Sequence, residues 1–287
     1  MTSPARAARI SVLIPCYDDG EHLAEAVASI RESEPVDVVV IDDASSDPRT
    51  LSVLDGLRDG EATVVSLEAN GGPGRARTLG LARCTTPYVF PLDADDLAEP
   101  GVLAEMADRL DADPGAAACV GDILEFGKHT LVRAVPTALD PYRVAYTNEY
   151  PVSALFRRST LDALHGWERT STTLTGYEDW NLWMDLAQQR ERIVHLGAGR
   201  IGYRRRLHGP RLNATAKTRH AALYRAMRAD HPYLFEQIRE HRRRSDLPPH
   251  KKLLFPLVYG ARARWPMEER LKPWADRLGW WTGASRA

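Results

Sequence analysis

The chain has only three cysteines in 287 residues, Cys16, Cys84 and Cys119. No two of them form a CxxC pair, which argues against a structural zinc site or a disulfide framework and favours a reducing compartment. No apolar run reaches the ~18 residues needed to cross a bilayer. The first nine residues lead into no apolar signal-type region. Together these absences predict a cytoplasmic protein. The glycine loop Asn70-Gly71-Gly72-Pro73-Gly74 lacks a following Gly-Lys-Ser/Thr, which excludes a Walker A phosphate cradle. G-x-G-x-x-G is absent after the first strand, which excludes a dinucleotide site of the usual form. Neither internal repeats nor low-complexity stretches occur. What remains is the composition of a globular chain long enough to bury a full core.

The charge balance conceals a division. Lys+Arg number 38 and Asp+Glu 39 in the whole chain, but residues 200–287 hold 21 and 7 of them, leaving 17 and 32 elsewhere. The tail therefore nets +14 and the remainder −15. Acidic clusters hold cations, and basic segments meet phosphates, anionic lipids or nucleic acid.

Apolar runs and helical periodicities alternate through the first hundred residues. Ile10 to Pro15 reads as a buried strand ended by Pro15, and Leu23, Ala26, Val27 and Ile30 mark a helix face. Val36 to Ile41, Thr63 to Leu67 and Tyr88 to Leu92 are further strands. Between them lie a helix with Leu51, Leu54 and Leu57 on its apolar side and another from Arg75 to Cys84. The strands are apolar throughout, so the prediction is α/β, a mostly parallel sheet flanked by helices. Ligands bind beyond the carboxyl ends of such strands. Polar clusters stand at those ends: Cys16 to Asp19, Asp42-Asp43, Asn70 to Arg77, and Asp93 to Asp96. Farther on, Ala116 to Leu124 and Val152 to Phe156 read as strands. Gly176 to about Arg190 reads as a helix striped by Trp180, Trp183, Met184 and Ala187, and the region beyond Ile201 as basic and mostly helical.

Asp93-Ala94-Asp95-Asp96 is the sharpest of these signals. In extended backbone, residues i and i+2 share a side, so Asp93 and Asp95 would face one ion. Mg²⁺ and Mn²⁺ take such ligands and share them with phosphates. A plain helix cap by Asp96 explains part of the same pattern. Asp42 and Asp43 suit hydrogen bonds from a ribose or base, or a turn into the next helix. Glu178 and Asp179 suit either chemistry or a favourable first helical turn.

The ordered pieces Pro15-x-Tyr17, Ile41-Asp42-Asp43-x-Ser45, Asn70-x-Gly72 with Ala76-Arg77, Asp93-x-Asp95-Asp96 and Glu178-Asp179 resemble inverting family 2 glycosyltransferases of the GT-A fold, over about residues 9 to 205. The resemblance implies a Rossmann-like, nucleotide-sugar-binding and catalytic domain at 1–205, followed by a basic, mostly helical extension at 206–287. It implies a nucleoside diphosphate sugar donor, favouring UDP- or dTDP-sugars, and a hydroxyl acceptor such as a glycan or lipid-linked glycan. Pro15, Tyr17, Asp42, Asp43, Gly72, Arg77 and Asp93 would line the donor site, with Trp180 and Arg204 also meeting substrate. Asp95 would bind Mn²⁺ or Mg²⁺, with His208 as a further ligand. Asp179, beside Glu178, would be the catalytic base. Asp18 and Thr78 stand where the family commonly has Asn, which leaves the nucleotide's identity open.

Competing readings are a nucleotidyltransferase, or a non-catalytic nucleotide-sugar-binding or membrane-docked protein. The first normally carries a lysine-bearing glycine loop after its first strand, where Cys16-Tyr17-Asp18-Asp19-Gly20 stands. For the basic tail three roles fit: an anionic membrane surface met through Phe255, Trp265, Trp280 and Trp281; a polyanionic acceptor or homodimer contact; or a helical subdomain whose tryptophans pack on the core. No nucleic-acid-binding module is recognisable.

Overall fold

The computed structural model describes residues 7–30, 32, 34–60, 62–167, 176–208 and 218–260. In chain order the first elements are β1 (Ile10–Cys16), α1 (Gly20–Ser29), β2 (Val36–Asp42), α2 (Pro48–Arg58), β3 (Thr63–Ser66), α3 (Pro73–Leu81) and β4 (Tyr88–Pro91). There follow β5 (Leu97–Ala98), α4 (Val102–Ala112), β6 (Ala116–Val120), β7 (Asp122–Gly127), β8 (Leu131–Arg133), α5 (Pro141–Val144), β9 (Leu155–Arg157), α6 (Arg158–Ala163) and α7 (Glu178–Gln188). The last are β10 (Arg192–His195), β11 (Ile201–Leu207), α8 (His220–Asp230), α9 (Pro232–Glu236), α10 (Ile238–Arg244) and α11 (Pro249–Val258).

Seven strands form one sheet in the order β10-β6-β9-β4-β1-β2-β3. β1, β2, β3 and β4 pair in parallel, as continuous apolar runs require. Only β9 runs against its neighbours β4 and β6. Pro15 does not end β1, as expected from the sequence; the strand continues to Cys16. Leu13 O accepts from Leu92 N on the β4 side and Cys16 O from Asp43 N on the β2 side. By alternation Pro15 therefore faces β4, where pairing stops at Leu13–Pro91, so its missing N–H breaks no established ladder.

Helix faces mostly follow the predicted periodicity. In α1, Leu23, Ala26 and Val27 are buried. In α2, however, Leu51 is 40 % exposed and Thr50 is fully buried in its place. Thr50 Oγ1 accepts the N–H of Gly20 at 2.9 Å, and a Cβ on Gly20 would lie 2.4 Å from Thr50 Cα. A close α1–α2 contact thus turns α2 away from the face its leucines suggest.

The single strand expected over Ala116 to Leu124 is two, in different sheets. β6 stays in the large sheet; β7 joins a smaller one ordered β5-β11-β7-β8. The break falls at Gly121, where a Cβ would meet Gly202 N at 2.7 Å and Arg200 O at 2.9 Å. Two backbones cross there with no room for a side chain.

By compactness the chain forms two units. The first comprises residues 1–138, 150–169 and 191–208 and carries both sheets. The second comprises 139–149, 170–190 and 209–287, its described elements being α5, α7 and α8 to α11. Inside it, α7 is buried from Trp180 through Ala187. Tyr224 Oη donates to Ala145 O at 2.7 Å. His231 joins Met227 O at 2.6 Å and Asp185 Oδ1 at 2.9 Å through its two ring nitrogens. Trp265, Trp274, Trp280 and Trp281 lie outside the described residues.

Candidate active site

In the first unit, the parallel strands β1 to β4 deliver their polar ends along one edge of the sheet. At the end of β2, Asp42 is 3 % exposed and its Oδ1 accepts the N–H of Ser45 at 2.8 Å. Asp43, equally buried, receives Gly71 N on Oδ1 at 2.9 Å and Gly72 N on Oδ2 at 2.7 Å. One carboxylate therefore shapes the glycine loop entering α3. Gly72 itself has φ +84°, which favours glycine. Asp18 after β1 takes φ +50°, a conformation Asp and Asn tolerate best. Its Oδ1 accepts Ser46 N at 2.7 Å and Asp47 N at 2.8 Å, which accounts for the acid at that position. Tyr17 leaves its ring 52 % exposed beside these loops, while Pro15 is buried within β1. Burial pushes the Cys16 thiol up to about 12, so it is a packing group and not a nucleophile.

The acidic residues after β4 converge by a route different from the expected one. Asp93 and Asp95 are not alternate positions of an extended strand. Asp96 N donates to Asp93 O at 3.0 Å, closing a turn through Ala94 and Asp95. Oxygens of Asp93, Asp95 and Asp96 then lie within 4.8 Å of one another. Burial, and then the charge of Asp93, push the Asp95 carboxyl upward. The same causes, with Asp95 added, hold Asp96 well above the ordinary carboxylate range. Asp96 caps no helix; its Oδ1 accepts Arg206 N of β11 at 2.8 Å. Asp93 pairs with the guanidinium of Arg77, which is 3 % exposed on α3.

β11 supplies the opposite wall. Tyr203 to Leu207 form a strand paired with β7, not part of the mostly helical region expected beyond Ile201, and His208 follows at once. His208 Nε2 lies 2.8 Å from Asp95 Oδ2. The preceding arginines are already engaged. Arg205 pairs with Glu125, and Arg206 reaches Glu25 Oε2 at 2.5 Å and Asp95 O at 3.0 Å. The guanidinium of Arg204 lies over the Phe126 ring, 5.4 Å from its centroid. Three carboxylates that repel one another, with one imidazole against them, form a donor set suited to a hard divalent cation.

One contributor escaped the sequence pattern. His22 on α1 packs its ring against His208, centroids 4.7 Å apart, and is itself held by Asp19 Oδ1 at 2.9 Å. Arg206 ties the acidic turn to α1. The Asp19/His22 pair had a visible i,i+3 spacing, but nothing in the sequence linked it to residue 208.

Within the second unit, Asp179 opens α7. Its Oδ1 accepts Trp180 N at 2.8 Å and its Oδ2 accepts Asn148 Nδ2 at 3.0 Å, fixing the carboxylate plane. Asn148 is the residue here that the sequence did not flag. Glu178 Oε2 accepts Gly176 N at 2.7 Å and braces the turn before the helix. Trp180 is 6 % exposed and donates Nε1–H to Val144 O at 2.6 Å, so its ring belongs to the core and not to an open surface.

Comparisons with known proteins bear on this architecture. Residues 11–162 match the family model described as Glycosyl transferase family 2. The chain is 30% identical over 105 residues to the succinoglycan biosynthesis protein ExoO, and 38% identical over 100 residues to ExoU, both of Rhizobium meliloti (strain 1021). These stretches cover 36% and 34% of this chain but only 30% and 29% of those proteins. TarS 1–349 of S. aureus, solved with UDP-GlcNAc, superposes with a TM-score of 0.66 at 20% identity, covering 94% of this chain and 80% of that one. The mannosyltransferase PcManGT of Pyrobaculum calidifontis, solved with GDP-Man and Mn2+, gives 0.58 at 18% identity over the same shares. At these identities the likeness establishes a shared fold, here the mixed α/β arrangement of a GT-A enzyme. No helix among the described residues is long and apolar enough to cross a membrane.

Proposed function

The chain belongs to glycosyl transferase family 2, and from that premise we propose that it moves a sugar from a nucleoside diphosphate sugar to an acceptor hydroxyl in a single inverting displacement. The observation that carries the reading is the acidic turn with His208 Nε2 2.8 Å from Asp95. Asp95 and His208 would hold Mn²⁺ or Mg²⁺, with Asp93 beside them. When bound, such a cation neutralises charge on the departing diphosphate, worth several kcal/mol. The exposed Tyr17 ring offers a stacking face to the base, with Pro15 and Asp42 behind it. Asp43 holds the glycine loop, and Gly72, at φ +84°, gives that loop the turn on which the diphosphate would rest. Arg77 keeps Asp93 oriented.

Asp179 takes the proton of the acceptor hydroxyl. Asn148 and the Trp180 N–H hold its carboxylate in one plane, and Glu178 steadies the turn that presents it. No protein nucleophile is needed, in keeping with cysteines that are buried. The nucleotide sugars bound by TarS and PcManGT support this donor class, and the UDP-GlcNAc of TarS supports a UDP- or dTDP-sugar. Residues 1–205 would carry donor binding and catalysis, and 206–287 the extension.

The test is a thermal-shift screen of UDP-, dTDP- and GDP-sugars with and without Mn²⁺, followed by turnover. A metal-dependent shift is expected, lost in Asp95→Ala. Asp179→Asn should keep the shift and lose turnover. If no nucleotide sugar moves the melting temperature under either condition, or if Asp179→Asn turns over normally, the proposal fails.

A further inference from the structure

Helix α11 is held by one side and shows the other to water. Phe255, 4 % exposed, packs with Tyr142 and Leu247. Phe255 is therefore core, which removes it from the residues that one of the three readings of the tail set against a membrane. Pro256, inside the helix, has no N–H to give to the carbonyl of Lys252 four residues earlier. Tyr142 Oη donates to that carbonyl at 2.5 Å. The contact ties this side of the helix to α5. On the other side Leu253 and Leu257, one turn apart, are 60% and 61% exposed.

A lone exposed leucine is ordinary; its surroundings are not. Residues 239–257 contain six Lys and Arg against Glu240 and Asp246. The side chains of Arg243 and Arg244 are 77 % and 79 % exposed and share one carboxylate, Glu240. Lys251 and Lys252, half-buried, precede Leu253 in the same helix. An apolar stripe flanked by long cationic side chains matches a bilayer interface, where leucines enter the acyl boundary and lysines reach the headgroups.

We propose that α11, with the arginines ending α10, docks this unit on an anionic lipid surface. A second copy of the chain meeting the same face would set cation against cation. A nucleic acid would answer the charge but leave the leucines unburied.

The experiment is sedimentation of the full chain with phosphatidylcholine vesicles, with and without phosphatidylserine. Binding is expected only with phosphatidylserine, and should fall as salt rises. Leu253→Ala with Leu257→Ala should weaken partition about 100-fold, and Lys251→Gln with Lys252→Gln roughly 30-fold. Both pairs belong to the second unit and none of the proposed donor residues does, so donor binding should be unchanged, and an unaltered melting temperature reports that the variants fold. Equal binding to both vesicle types, or leucine variants that bind like the parent, overturns the proposal. So does a dimer, seen by sedimentation equilibrium, that the leucine variants abolish while no vesicle binding occurs.

Discussion

Replacing Asp96 by Asn removes a titratable carboxyl while leaving an acceptor for β11, and its effect should appear as a change in how stability depends on pH. Asp96 is 3 % exposed, and Arg206 N donates to its Oδ1 at 2.8 Å. Burial first, then the charges of Asp93 and Asp95, raise its pKa well above the ordinary value. A carboxyl raised in the folded state keeps a proton that the unfolded chain releases. Its contribution is therefore complete below the ordinary carboxylate range, near pH 3.9, and declines as pH climbs toward the folded pKa. For one proton the slope is about 1.4 kcal/mol per pH unit. Asn cannot titrate, so the variant should lose that slope. It should also start lower, because an amide N–H₂ left without an acceptor costs about 1–3 kcal/mol. The two stability curves should converge or cross as pH rises. Urea unfolding at steps from about pH 4 to pH 8 measures both curves. Asp95, also raised, leaves some slope in the variant, so the difference between the proteins is the readout. Parallel curves would mean that Asp96 is charged in both states, and the electrostatic account of the turn would be wrong.

Other perturbations follow from the same geometry. Gly121→Ala should cost about 3 kcal/mol, the upper end of overpacking, because its Cβ would run into the backbone of Arg200 and Gly202; urea unfolding reads it, and an unchanged midpoint would show that the crossing strands separate freely. His22→Ala should weaken Mn²⁺ affinity in the presence of UDP roughly 10-fold, as loss of a supporting partner does. His22→Phe, which keeps a ring against His208, should retain most of it; equal losses in calorimetry would assign the effect to something other than ring packing. Asp43→Ala leaves the Gly71 and Gly72 amides without their carboxylate and should lower stability by about 2–3 kcal/mol. It should also raise the donor Kd, and an unaltered Kd would show that the glycine loop needs no clamp.

The strand ends of the first unit were legible because buried parallel strands read as unbroken apolar runs, and polar clusters at their ends stand out against them. The turn through Asp93 to Asp96 was not, because alternation describes a strand and says nothing about where one stops. Gly121 looked like an interior strand residue; its reason for being glycine is Gly202, 81 positions away, and no local periodicity contains that fact. The second unit shows the limit most clearly. It gathers residues 139–149, 170–190 and the chain after 209, so no contiguous window of sequence coincides with it.

Pro256 illustrates the kind of information that each level holds. In sequence it is a proline within a helical pattern, and by itself it predicts a carbonyl without a donor at Lys252. That deficit can be computed from spacing alone. Its remedy, the hydroxyl of Tyr142, comes from 110 residues earlier, on α5. The same tyrosine buries its ring against Phe255, so satisfying the carbonyl and seating the helix are one event. Tyr142→Phe separates the two: it keeps the ring and removes the donor. If the hydroxyl serves only the carbonyl, stability should fall by about 1–3 kcal/mol while Leu253 and Leu257 stay exposed and vesicle binding persists. If the hydroxyl also sets the helix rotation, vesicle binding should fall with stability, and the apolar stripe is then a consequence of a bond that the proline made necessary.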